Sequence, residues 1–241
     1  MREGGLIMKW KLLVIAGAVA IVLAVAVSAA GKGLFVRPAS MNASELPTII
    51  VDAGHGGIDG GAVGADGTIE KGINLSIAKH LEQTLRALGF EVVMTRTEDT
   101  LIGNNNAKTV REQKSSDIKR RLQITEQYDN ALLISIHQNK YSVEKYYGAQ
   151  VFYSPNGEQS KQLAELVQQS VVTRLQPENE RVIKPSGKEI YLLYHAEIPS
   201  VMVECGFLSN RAELQKLKSE EYQHQMSFSI ACGILDYCQA G

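Results

Sequence analysis

The chain has 241 residues, 44% of them hydrophobic and 21% charged. This is an ordinary globular composition, with about 200 residues left to bury a sizeable core once a leader is set aside. The formal net charge is −1, which excludes the basic excess usual in a nucleic-acid-binding protein, so no nucleic-acid partner is expected. The cysteines, Cys205, Cys232 and Cys238, are odd in number and lack zinc-knuckle spacing, which excludes a fully paired disulfide framework and a thiolate metal site.

The chain opens with a charge-free apolar run from Leu12 to Ala30, preceded by Lys9 and Lys11. A basic flank followed by an apolar stretch is an export signal. This one lies between a secretory core and the roughly 20 residues that span a membrane. Ser28-Ala29-Ala30-Gly31 would suit a signal peptidase, and an uncleaved anchor fits equally well. Residues 1–31 therefore read as a signal peptide or membrane anchor, and residues 32–47, polar and proline-containing, as a linker. A single folded domain follows over 48–241.

That domain starts with a β-branched run, Thr48 to Asp52, which predicts a strand entering the glycine-rich loop Ala53-Gly54-His55-Gly56-Gly57. Apolar residues at Ile73, Ile77, Leu81, Leu85 and Leu88 predict a helix from Glu70 to Leu88, closed by Gly89. A strand is expected over Phe90 to Thr95, a long polar surface loop over Glu98 to Lys114, and a helix over Ser116 to Tyr128. Strands follow at Ala131 to Ile136 and Ala149 to Tyr153, then a helix at Ser160 to Leu175 and a polar loop at Pro177 to Gly187. Ile190 to Tyr194 and Val201 to Val203 read as strands, and helices near Arg211 to Lys218 and Glu221 to Tyr237 close the chain. Alternating strands and helices predict an α/β fold: a mostly parallel, twisted sheet flanked by helices, preceded by the apolar export helix.

In open α/β sheets, sites gather at the carboxyl ends of strands. Three predicted strands end there in His55, His137 and Glu204, and Glu70 opens the first helix just past the glycine loop. Two imidazoles and a carboxylate form a known zinc set that leaves a position for water. A further carboxylate can then move protons. Each residue also has a plain structural explanation: a turn histidine, a satisfied core histidine, an acid favoured at a helix N-terminus, or a buried acid paired with an arginine. Their coincidence at matching topological places points to a metal hydrolase. His80, His195 and His224 show no partner at ligand spacing and read as structural or surface residues.

Four ordered motifs then resemble the Amidase_3 family of zinc amidases. They are Ile50-Val51-Asp52-Ala53-Gly54-His55-Gly56-Gly57 with Asp59-Gly60-Gly61-Ala62; Glu70-Lys71 with Asn74-Leu75; Ser135-Ile136-His137-Gln138-Asn139; and Val203-Glu204-Cys205-Gly206-Phe207-Leu208-Ser209-Asn210. The resemblance runs from about Thr48 to the end of the chain. It implies zinc as cofactor, His55, Glu70 and His137 as its ligands, Glu204 as catalytic glutamate, and peptidoglycan as substrate. The reaction so implied is hydrolysis of the amide joining the muramic acid lactyl group to L-alanine. Arg121 matches an arginine that commonly precedes the third motif. With Gln138 and Asn139, it is a candidate to touch substrate or support the ligands. Ala53, Glu126 and Gln138 depart from the family pattern, and Gln138 is expected to alter the cleft wall.

The Glu98 to Lys114 loop, the Gly148 to Tyr153 strand and Ile190-Tyr191-Leu192-Leu193 look like the germination-specific amidases of endospore formers. That likeness implies stem-peptide removal for muramic-δ-lactam formation in spore cortex, in sequence with a muramic acid deacetylase. It also implies a location outside the cytoplasm, in the space between the forespore membranes, and a protein partner at the spore envelope. Two other readings stay open here: a zinc peptidase cutting within stem peptides, and a non-catalytic wall-binding module.

Overall fold

The β-branched run after Pro47 does form a strand, β1 (Thr48–Ala53), buried from Ile49 onward. The structure, a computed structural model, describes residues 46–104 and 106–240. The expected export helix, and all but Leu46 and Pro47 of the expected linker, lie outside the described residues. Among the described residues no helix is long and apolar enough to cross a membrane.

Helix α1 (Glu70–Ala87) buries Ile73, Ile77, Leu81 and Leu85, the stripe expected from its period. It stops where Gly89 turns to a φ of 93°. Next come β2 (Val92–Met94), α2 (Val110–Thr125), β3 (Ala131–Asn139), β4 (Gln150–Tyr153) and α3 (Glu158–Arg174). The chain finishes with β5 (Lys184–Pro185), α4 (Tyr191–His195), β6 (Ser200–Phe207), α5 (Arg211–Lys218) and α6 (Glu220–Ala240). The strands form one six-stranded sheet in the order β2-β1-β3-β6-β4-β5. β2, β1, β3 and β6 run parallel, while β4 pairs antiparallel with β6 and parallel with β5.

Alternation along the strands divides the core between the two sheet faces. Ile49, Val51, Ile134, Ile136, Val201 and Val203 face α1, α3, α5 and α6. Ile50, Leu133 and Met202 face the other way, against Ile118 and Leu122 of α2 and Leu192 and Leu193 of α4.

Three expectations are corrected. Ile190 to Tyr194 is not a strand: the Tyr194 N–H donates to the Ile190 carbonyl at 3.0 Å, and the adjacent Leu192 and Leu193 pack in the same core cluster, where strand alternation would send them to opposite faces. The long loop ends at Thr109 rather than Lys114, because Thr109 and Glu112 form a reciprocal capping box that starts α2 early. The loop is also less peripheral than its composition suggests. Leu101 is buried, and the Ile102 N–H donates to Asp117 at 2.6 Å. Finally, the loop over Pro177 to Gly187 contains the short edge strand β5.

Candidate active site

The site is assembled toward the carboxyl ends of β1, β3 and β6, and β3 and β6 run on past His137 and Glu204 to Asn139 and Phe207. β1 leads into the glycine loop, where His55 takes a left-handed backbone conformation with φ 63°, unusual for a residue with a side chain. This turn aims the ring back over the sheet. The Arg121 Nη2 group holds the loop in place by donating to the His55 carbonyl at 2.7 Å. His55 Nδ1 meets Asp59 Oδ2 at 2.9 Å, leaving Nε2 directed at Glu70 Oε2, 3.2 Å away. His137 lies near the end of β3, with Nδ1 3.0 Å from Glu70 Oε1. The two imidazole rings meet edge-on with centroids 4.8 Å apart.

Glu70 occupies the first turn of α1, where the helix dipole favours a carboxylate. Its Oε2 accepts the Ala62 N–H at 2.7 Å. Its Oε1 accepts from Asn74 Nδ2 at 3.0 Å and from the Gln138 N–H at 3.1 Å. Burial opposes ionisation of Glu70, but the His137 and His55 imidazoles outweigh it and hold the carboxyl far below its ordinary range. Burial would likewise lower the His55 imidazole, yet Asp59 and Glu70 push it up to about 9.

The residues fit a metal ion by donor chemistry and by shape. One donor atom each from His55, Glu70 and His137 lie within 4.8 Å of one another. The space is kept by glycines. A Cβ on Gly54 would overlap the His137 ring, and one on Gly61, at φ +70°, would stand 2.5 Å from Glu70 Oε2.

Glu204 lies beside this cluster, its Cα paired with that of His137 across β3 and β6. The strand register shifts between His137 and Asn139, a bulge next to the site. The Glu204 Oε2 atom is buried without a hydrogen-bond partner. Burial, reinforced by Glu70 and opposed by the imidazoles, pushes its carboxyl up to about 7. That is the range in which a carboxyl exchanges protons readily at neutral pH.

Beneath the loop lies a polar network. Arg121 is 2% exposed, and its donors end on Asp117, Asp52 and the Ala53 and His55 carbonyls. Asp52 also accepts from Ser135 Oγ at 2.6 Å and Thr95 Oγ1 at 2.8 Å. Arg121 thus positions the His55 loop from below and has no face toward a substrate. Burial would raise the Asp52 carboxyl, but Arg121 and the two hydroxyls bring it down to about 2. Folding therefore favours its ionised form. The stability this provides is complete above the ordinary value of 3.8 and is lost as pH falls toward about 2. Urea midpoints measured across that window should fall steeply in the unmodified chain and less steeply in an Asp52→Asn variant.

Gln138 was expected to shape the cleft wall, but it is buried. Its side chain donates to Asn74 Oδ1 at 3.2 Å, so it acts on Glu70 and Asn74 instead. Asn139 lines a pocket beside the cleft. Sequence reading gave no role to Asp59, Asn74 or Arg96. The Arg96 guanidinium donates to the Ala53, Gly54 and Lys71 carbonyls. An acid four residues after a loop histidine was a legible signal for Asp59, whereas Arg96 reaches its partners only through the fold. His80 and His224, expected to be unpartnered, lie with ring centroids 3.6 Å apart and Glu220 nearby, because α1 packs on α6. The three cysteines are free.

Residues 49–236 match the Amidase_3 family, N-acetylmuramoyl-L-alanine amidase. The chain is 34% identical over 189 residues to the germination-specific N-acetylmuramoyl-L-alanine amidase of Bacillus subtilis, covering 78% of each protein. Its fold is similar to that of the CwlD amidase from Clostridioides difficile, whose structure was solved in complex with the GerS lipoprotein. That match has a TM-score of 0.78 and 40% identity, over 81% of this chain and 100% of that one. The amidase AmiC2 of Nostoc punctiforme matches with a TM-score of 0.67 and 30% identity, over 80% of this chain and 97% of that one.

Proposed function

This chain belongs to the Amidase_3 family of N-acetylmuramoyl-L-alanine amidases, and we propose that it cuts the amide between the muramic acid lactyl group and L-alanine with His55, Glu70 and His137 as zinc ligands and Glu204 as the proton carrier. The observation that carries this reading is the joint placement of a His-Glu-His cluster and a buried, unpaired carboxyl oxygen at one edge of the sheet.

Zinc, when bound, supplies a Lewis acid that polarises the substrate carbonyl and acidifies water. The chain's own residues do the remaining work. Asp59 fixes the His55 ring through Nδ1, so that Nε2 faces the ligand cluster. The Ala62 and Gln138 N–H groups and Asn74 hold the Glu70 carboxylate in one orientation. Glu204 takes a proton from the attacking water and delivers it to the leaving nitrogen, a task suited to a carboxyl raised to about 7. Titration of zinc-free protein, followed by calorimetry, should show zinc binding. His137→Ala and Gly54→Ala should each weaken it, the first by removing a donor and the second by displacing the ring. Unchanged affinity in both variants would remove these residues from the metal site.

The finer assignment is to spore cortex, outside the cytoplasm, where stem-peptide removal precedes muramic-δ-lactam formation. The likeness to a germination-specific amidase supports it. Cortex from cells lacking this chain should contain little or no muramic-δ-lactam, and normal levels would overturn the assignment. The relative solved with a lipoprotein supports a protein partner at the spore envelope. A pull-down from sporulating cells that returned only the chain itself would count against that partner.

A further inference from the structure

The cleft does not end at Glu204. In the antiparallel pairing of β4 and β6, Gln150 stands opposite Glu204, and Phe152 opposite Met202. Met202 and Phe152 pack in the same core cluster, so alternation puts Glu204 and Gln150 on that same face. Adjacent strands are about 5 Å apart, so Gln150 begins the surface next to the proton carrier, on the side away from the His-Glu-His cluster.

A pocket of about 300 Å³ lies there, its walls including Asn139, Tyr146, Gln150, Phe207, Arg181 and Lys184. Arg181 is held rigidly within it. Its guanidinium carbon stands 4.4 Å from the Phe207 ring centroid. Its Nε donates to the Tyr147 carbonyl at 2.7 Å, and its Nη1 to Gln150 Oε1 at 3.1 Å. Gln150 is only 4% exposed, and it is itself fixed by donating to the Val182 carbonyl at 2.8 Å. The Arg181 Nη2 group has no bonded partner among the described residues, and neither Arg181 nor Lys184 forms an ion pair there. Glu213 lies behind Arg181, but its two oxygens accept the Gly148 and Phe207 N–H groups. The result is a positive pocket with a planar donor oriented in advance, a form suited to a carboxylate.

We propose that Arg181, assisted by Lys184, is a subsite for a free carboxylate of the stem peptide, on the leaving-group side of the scissile amide. The proposal rests on the amidase reading for its orientation. Glu204 must face the leaving nitrogen in order to protonate it, so the peptide beyond that nitrogen runs past Glu204 toward Gln150. Two residues of extended chain cover roughly 7 Å, more than one strand spacing, which carries the α-carboxylate of the second stem residue past Gln150 toward Arg181. A stem whose carboxylate has been amidated loses that charge, so the subsite would discriminate between free-acid and amidated peptidoglycan.

The test is calorimetric binding of two soluble muramyl tripeptides, one with the second-residue α-carboxylate free and one with it amidated, to the zinc-loaded full-length Glu204→Gln chain. The free acid should bind roughly 10- to 100-fold more tightly, the range of one charge-assisted contact. Adding Arg181→Ala should abolish that preference while leaving the Kd for the amide within about twofold, and Arg181→Lys should restore part of it. Equal affinity of the two peptides, no binding of the free acid, or an equal loss for both in Arg181→Ala would overturn the subsite. Cleavage by the unmodified chain separates the two ideas. Equal kcat/KM on both peptides would keep the amidase and remove the subsite. Arg181-dependent binding without cleavage of the lactyl amide would do the reverse.

Discussion

Glu204→Gln is expected to lower kcat by about 10²- to 10⁴-fold while leaving the fold and the zinc content unchanged, the range for losing a positioned general acid–base. The substitution keeps the size of the side chain and removes its capacity to carry a proton. Two observations make the contrast sharp. Glu204 pairs with His137 across the sheet, and its Oε2 is buried without a partner, a burial that pushes the carboxyl up. A group kept only for stability would find a partner, and an amide there would be tolerated. Steady-state rates on a soluble muramyl peptide, with metal analysis of the same samples, decide the matter. Activity within about threefold of the unmodified chain would remove Glu204 from the reaction, since a factor that small falls well below the general acid–base range.

The second large effect concerns stability. Arg121→Ala should cost about 3–5 kcal/mol, because removing one member of a buried ion pair leaves its partner charged and unpaired. The groups that lose a partner would be Asp52, 1% exposed, and Asp117, 5% exposed, together with the His55 carbonyl and the Ala53 carbonyl, which keeps Arg96. Urea denaturation at neutral pH measures the loss directly. Because one of those carbonyls belongs to His55, zinc affinity should fall as well, although Arg121 touches no metal donor. A loss below about 1 kcal/mol would mean that the network is worth no more than a surface ion pair.

Much of the site was legible in the sequence because its parts sit at places that local pattern reveals. His55, His137 and Glu204 each follow a mostly apolar run that reads as a strand, and Glu70 opens a strongly periodic helix. What was illegible depends on long-range partners or on polar burial. The residues that α2 buries are Asp117, Arg121 and Thr125, spaced four apart. A stripe of that kind faces inward as surely as a leucine stripe, yet hydrophobic periodicity does not detect it. The Thr109 and Glu112 capping box was the available signal for where that helix begins. α4 is a single short turn, and so short a segment does not distinguish helix from strand until Leu192 and Leu193 are seen packed on the same face of the sheet. Arg96 and Arg181 lie in loop sequence without a motif, and each acquires its environment only when distant strands align beside it. The pairing of His80 with His224 arises in the same way, from the packing of α1 against α6.

The reaction assigned to this cleft is hydrolysis of the bond between muramic acid and L-alanine. Mass spectrometry of peptidoglycan digested by the zinc-loaded full chain, with a chelator control, tests it most directly. The expected products are peptide-free muramic acid and stem peptides with free L-alanine amino termini, both lost on chelation. Cuts within the stem peptides, or bound zinc with no cut even when the partner is supplied, would overturn that assignment.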